Sequence, residues 1–339
     1  MVVARPYGVT ADGHAVTEYT LENARGMQVK CLDWGGRITS IRVPDRNGRL
    51  VDVVLGFDTL AEYEADTQSL GAFVGRYANR IERAVFSLDG VEHHLQVNNG
   101  PNHNHGPWGS RPMQADWAVG GDRLILRYHS PAGEDDMPGT VDAQVQYILE
   151  EDNTLTIRYH AVTDAATPIN LTNHSYFNLD GEGTVQEQLL KIHADRYTPN
   201  DAGCLPTGEL APVAGTAMDF RSFKPIGKDA DSDEPCVKPF RGYDVNFCLD
   251  GSVPAIEAKS LKSGIVMCVT TDQPGVQLFT ANHMKERIGK NGQKYGHRSA
   301  FCLETQHFPD CIHHPDWPSC VLRASEVFDS KTIYSFTTE

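Results

Sequence analysis

No stretch of this 339-residue chain approaches the roughly 18 consecutive apolar residues that a membrane-crossing helix requires. The opening residues, MVVARPYGVTADGH, contain no apolar run of the signal-peptide kind, so the expectation is a soluble cytoplasmic protein with no membrane partner. A basic block is also missing. Lys plus Arg number 30 against 45 Asp plus Glu, a formal charge of −15, which makes nucleic acid and anionic membrane poor partners. Eight cysteines are scattered with no C-x-x-C spacing, which argues against a zinc site or a disulfide framework. Cys248, Cys268 and Cys302 lie in apolar, strand-like runs, and only Cys311 and Cys320, in a Pro-rich loop, are candidates for a bridge. Internal repeats and low-complexity tracts are absent. Helical periodicity is confined to one short candidate, Thr59 to Asp66.

What is present is strand. Val141, Ala143, Val145, Tyr147 and Leu149 alternate with mostly polar residues, as do Leu155, Ile157, Tyr159 and Ala161, and Glu151-Asp152-Asn153 joins the two runs as a hairpin. Asp89-Gly90 marks a second hairpin, because that dipeptide tolerates the positive φ of a primed turn. Further strand candidates are Val29 to Asp33, Arg37 to Val43, Leu50 to Gly56, Arg123 to His129, Gln188 to Ala194, Ile265 to Thr271, Val276 to Ala281 and Lys331 to Phe336. Loops are expected at Ser130 to Gly139, Ile226 to Pro239 and Lys285 to Arg298, none long or plain enough to be an interdomain linker. These features predict an all-β fold, a large antiparallel β-sandwich with very little helix, formed by residues 1–339 as a single domain.

Chemistry-bearing residues fall in separate blocks. In FCLETQHFPD, an extended Phe301 to Phe308 puts Cys302, Glu304, Gln306 and Phe308 on one face. A carboxylate set among apolar neighbours must be paired or face a polar cleft. In PINLTNHSYFNL, strand alternation would place Asn170, Thr172, His174 and Tyr176 on one polar face, backed by Leu171, Phe177 and Leu179. Asn79 and Arg80, in GRYANRI, supply an amide and a planar cation of the kind that vicinal hydroxyls engage. The turn-rich NNGPNHNHG carries His103-x-His105, either half of a metal site or a hydrogen-bonding group at His105. Asp244 in GYDVNF and Gln277 in PGVQLFT are a strand-entry carboxylate and an amide pointing away from its apolar neighbours.

Taken in order, these blocks, with VPDRNGRLVDVVLGFD near the start and SKTIY near the end, resemble the aldose 1-epimerase (galactose mutarotase) family over nearly the whole chain. The resemblance implies a single β-sandwich whose concave cleft holds a pyranose, with no metal, nucleotide or other cofactor. By block, His174 resembles the family's general acid and Glu304 its general base. Asn79, Arg80, His105, Asp244 and Gln277 resemble the groups that hold the sugar. The chain departs from the pattern at His105-Gly106-Pro107, at Asp136-Met137-Pro138-Gly139 and at Met218-Asp219-Phe220, changes that bear on sugar preference rather than chemistry.

Interconverting α and β anomers requires a proton to leave the C1 hydroxyl and one to reach the ring oxygen, so one base and one acid must flank C1. A Glu with an unperturbed pKa near 4.3 would be ionised at neutral pH, whereas a His near 6.5 would need a nearby carboxylate, Glu304 or Asp244, to raise it. Two alternatives remain at this level. One is a sugar-binding module of the same fold. The other is a hexose-6-phosphate epimerase using Arg76 and Arg83, which flank Asn79-Arg80.

Overall fold

The computed structural model describes residues 1–339. Three antiparallel sheets carry the chain. The first has five strands in chain order, Val2–Val9, Ala15–Glu22, Gln28–Leu32, Ile38–Pro44 and Leu50–Asp52. The second has nine, with Phe328–Thr338 at its centre between Thr154–Thr163 and Ile265–Thr271. The third orders Ala211–Pro212, Arg196–Thr198, Asp244–Cys248, Gly275–Phe279 and Cys302–Gln306 side by side. A β-sandwich is thus what forms, with one α-helix, Leu60–Glu64. Thr59 caps that helix, its hydroxyl accepting from the Glu62 N–H while the Glu62 carboxylate accepts from the Thr59 N–H, a reciprocal box that fixes the start of an otherwise marginal five-residue helix.

The expected alternations hold where a strand has one dry face. Val141, Ala143, Val145, Tyr147 and Leu149 are all buried, and the 151–153 turn sets Leu149 opposite Leu155. Asp89 and Gly90, both at positive φ, connect Val85–Leu88 to Val91–His94. Three expectations need correction. Leu50 to Gly56 stops being a strand at Asp52, because Val54 leaves the sheet to bridge Phe177. Lys285 to Arg298 contains a small ribbon, Arg287–Ile288 with Lys294–Tyr295. The 168–179 stretch is not one alternating strand: Pro168 pairs with Val321, Thr172–Asn173 pairs with Phe73–Val74, and Asn170 and Phe177 make isolated bridges. The amides of Asn170, Asn173 and Asn178 donate to backbone carbonyls of other segments, Ala78, Gly71 and Ser299, and Asn170 also accepts from His307 N–H. The first two strands, Val2–Val9 and Ala15–Glu22, show no clean alternation in sequence and add to the expected set. All eight cysteines are free; Cys311 and Cys320 lie in one apolar cluster, with the Tyr77 hydroxyl 3.3 Å from the Cys311 sulfur.

Candidate active site

The third sheet carries a row of polar side chains in register. Asn246 lies opposite Gln277, and Gln277 opposite Glu304, all buried on one face. Glu304 occupies the edge strand, which packs against Thr172–Asn173, and His174 follows directly from that segment. Of the expected 301–308 face only the part within Cys302–Gln306 is strand, and it delivers the carboxylate to the imidazole: Glu304 Oε1 is 3.6 Å from His174 Nε2. Tyr176 stacks on the His174 ring at 5.0 Å and 10°, and Phe279 meets it edge-on, so the ring has little freedom to turn.

Two loops bring in the remaining groups. Asn79 and His105, both at positive φ, face each other: His105 N–H donates to the Asn79 carbonyl, and Asn79 N–H donates to His105 Nδ1 at 3.0 Å. The loops meet this closely because Gly106 lacks a side chain; a Cβ there would lie 2.0 Å from the Gly75 carbonyl oxygen. Asn79 Oδ1 accepts from Arg80 N–H, and Arg80 Nε donates to Asn99 at 3.1 Å, which holds the guanidinium at the cavity wall. Asp244 enters the third sheet after Gly242, where a Cβ would fall 2.1 Å from Asn282 Oδ1. Gln277 Nε2 donates to Asp244 Oδ1 at 2.6 Å.

Glu304, His174, His105, Asp244, Asn79 and Arg80 line one cavity of about 180 Å³. That is below the roughly 300–1,000 Å³ of sites for drug-sized ligands, and suits one small polar ring. Gln277 is not on the wall; it stands behind Asp244. The roof was not legible in the sequence. Thr67, Gln68 and Ser69 form it, held by a buried ion pair of Arg37 with Asp66 at 3.0 Å and by the Tyr176 hydroxyl on the Gln68 carbonyl. Asp66 also accepts from Gln68 N–H and Leu70 N–H, a turn whose only sequence mark is the Asp itself. His283 and Asn104 complete the wall. A larger cleft of about 800 Å³ elsewhere contains none of these groups, and its buried charge is already neutralised, Lys290 by Asp52 at 2.7 Å.

Neither arginine proposed for phosphate faces the cavity. Arg76 is buried against the 130–139 loop, donating to Pro138, Gly139 and Ser130, and Arg83 is exposed beside Glu82. His103 turns away too, toward the Gln96 carbonyl and Asp135. His105, His174 and Glu304 place ligand-type atoms within 4.8 Å of one another, the arrangement a metal would use. However, His105 Nδ1 is occupied by a backbone donor, and burial, with the neighbouring His174 and Arg80, keeps the ring neutral, so its proton sits on Nε2. That nitrogen is then a hydrogen-bond donor, unsuited to a cation.

The protonation states differ from expectation. Burial lowers His174 to about 4, more than Asp66 and Asp244 raise it. Burial, reinforced by Asp244 and opposed by Arg80, raises Glu304 to about 8. At neutral pH the pair therefore holds one proton, on the carboxyl, and burial of both groups is the reason a neighbouring carboxylate fails to charge the imidazole.

The family model described as aldose 1-epimerase matches residues 17–335. The galactose mutarotase of Homo sapiens is 40% identical over 334 residues, covering 96% of this chain and 95% of the relative. The aldose 1-epimerase of Escherichia coli (strain K12) is 37% identical over 339 residues, 97% of each. Among solved structures, the galactose 1-epimerase from Lactobacillus acidophilus NCFM superposes with a TM-score of 0.88 at 29% identity, covering 100% of this chain and 99% of that one.

Proposed function

The chain belongs to the aldose 1-epimerase family and has its isomerase activity, and on that premise we propose that it interconverts the anomers of a free hexose of the glucose or galactose type, with Glu304 as general base and His174 as general acid. The observation that carries the assignment of roles is the 3.6 Å approach of Glu304 to His174 on the wall of a cavity sized for one sugar ring.

The resident proton must first pass from Glu304 to His174. Arg80 favours the carboxylate and Asp66 the imidazolium, so both neighbours act toward the working ion pair. Glu304 then takes the proton of the C1 hydroxyl, the bond from C1 to the ring oxygen breaks as the C1 carbonyl forms, and His174 protonates the ring oxygen. After rotation about C1–C2, His174 recovers that proton, the ring oxygen attacks the other carbonyl face, and Glu304 returns its proton to O1. Every proton taken is given back, so no cofactor chemistry is required. Asn79, Arg80, His105 and Asp244 hold the sugar hydroxyls, with Gln277 acting through Asp244.

We also read residues 1–339 as one domain, supported by a core of 59 buried residues drawn from all three sheets. A cytoplasmic location agrees with eight unpaired thiols. The test of the function is polarimetry of fresh α-glucose and α-galactose against their 6-phosphates. Acceleration of the free sugars is expected; faster turnover of the phosphates, or binding with no acceleration, would overturn the reading.

A further inference from the structure

Gln277 secures one oxygen of Asp244. The other, Oδ2, meets the thiol of Cys204 at 3.3 Å. Cys204 belongs to a turn stitched to the start of the Asp244 strand: Asn200 Nδ2 donates to the Asp244 carbonyl at 2.7 Å, and Asp201 Oδ1 accepts from Gly203 and Leu205 N–H. The sulfur itself accepts from Asn200 Nδ2 at 3.6 Å and lies 3.8 Å from the Asp244 carbonyl, so Oδ2, at 3.3 Å, is the nearer of the two acceptors open to the thiol hydrogen. Cys204 is buried, and burial together with the Asp244 charge pushes its pKa well up, against the opposing pull of Arg80, so the sulfur keeps its hydrogen and donates it.

We propose that Cys204 is a positioning residue for sugar binding, orienting Asp244 through an S–H donation to Oδ2. The proposal rests on the reading of Asp244 as a sugar-holding group. The torsion that turns a carboxylate about its Cβ–Cγ bond is broad, so one anchored oxygen does not define the plane in which the other accepts. With Gln277 on Oδ1 and Cys204 on Oδ2, the plane is set before the sugar arrives, and the remaining lone pairs point in one direction. Pre-organisation of this kind acts on substrate and transition state alike, and therefore on KM more than on kcat.

The test compares Cys204→Ala, Cys204→Ser and Asp244→Asn by initial-rate polarimetry. Cys204→Ala should raise KM about fivefold, in line with loss of one modest hydrogen bond, with kcat changed by less. Cys204→Ser restores a donor and should recover most of that loss. On an Asp244→Asn background, Cys204→Ala should add little, because the two act as one unit. If Asp244→Asn raises KM but Cys204→Ala does not, the role of Cys204 is overturned and that of Asp244 stands. If Asp244→Asn leaves KM unchanged, the reading of Asp244 itself falls. Equal damage from Ala and Ser, tracking a lowered melting temperature, would make the thiol merely structural and also overturn the proposal. Should the alanine variant not fold, Cys204→Val, close in volume and without a donor, carries the same comparison.

Discussion

The backbone N–H of Asn79 donates to Nδ1 of His105 at 3.0 Å, and this one contact decides what His105 can do. A neutral imidazole with Nδ1 accepting must carry its hydrogen on Nε2, so the group facing the cavity is a hydrogen-bond donor, as the proposed sugar-holding role requires. Prolonged treatment with a strong chelator should leave the mutarotation rate within experimental error, although His105, His174 and Glu304 are close enough to surround an ion. Loss of activity that returns on adding back a divalent metal would reverse this view.

Removing either half of the acid–base pair should be costly in rate and cheap in binding. Glu304→Gln and His174→Asn are each expected to lower kcat by about 10²- to 10⁴-fold, the usual worth of one positioned proton carrier. Combining them should cost little more than the worse single change, since an acid without its base is idle. Isothermal titration with galactose on both variants provides the control, and a wild-type rate in either one refutes its role.

The pH profile follows from one proton shared by two buried groups. Below about 4, His174 is protonated while Glu304 still is, and no base remains; above about 8, Glu304 has lost its proton with His174 neutral, and no acid remains. A plot of kcat/KM should therefore be flat across neutrality and fall at both ends, near those values. A single inflection close to pH 6.5 would mean that His174 titrates as an ordinary histidine.

Much of this arrangement was readable from the residues because it rests on local pattern. Period-two alternation announces the 141–149 and 154–163 strands, whereas the face that presents Glu304 follows only from taking 301–308 as extended, and strand forms there at Cys302–Gln306. The alternation expected across Asn170 to Tyr176 does not form, so the family resemblance of its block, and not the pattern, marks His174: the segment is mostly irregular, bridged to Val74, Tyr77 and Phe301, partners distant in the chain. The Thr67–Ser69 roof left no pattern, since what holds it, the Arg37–Asp66 ion pair and the Tyr176 hydroxyl on the Gln68 carbonyl, comes from partners distant in the chain. Protonation differs from the expectation because burial outweighs charge pairing at both groups. Sequence shows that Glu304 and His174 carry opposite charge types; only the fold shows that both are dry.

Dryness makes its own prediction about stability. Glu304 is raised from its ordinary value of 4.5 to about 8, so between those values the folded chain binds more proton than the unfolded chain. Stability from this group is therefore complete below about pH 4.5, declines as pH rises, and is lost by about pH 8, at no more than about 1.4 kcal/mol per pH unit. His174 has the opposite sense, its lowered value weakening the fold as pH drops from 6.5 toward 4, and that contribution is common to wild type and Glu304→Gln. The difference in melting temperature between the two proteins isolates the carboxyl. It should favour Glu304→Gln increasingly from pH 5 to pH 8 and then level off. A difference independent of pH over that range would show that Glu304 ionises in the folded protein as it does in water, and would remove the resting proton from the carboxyl.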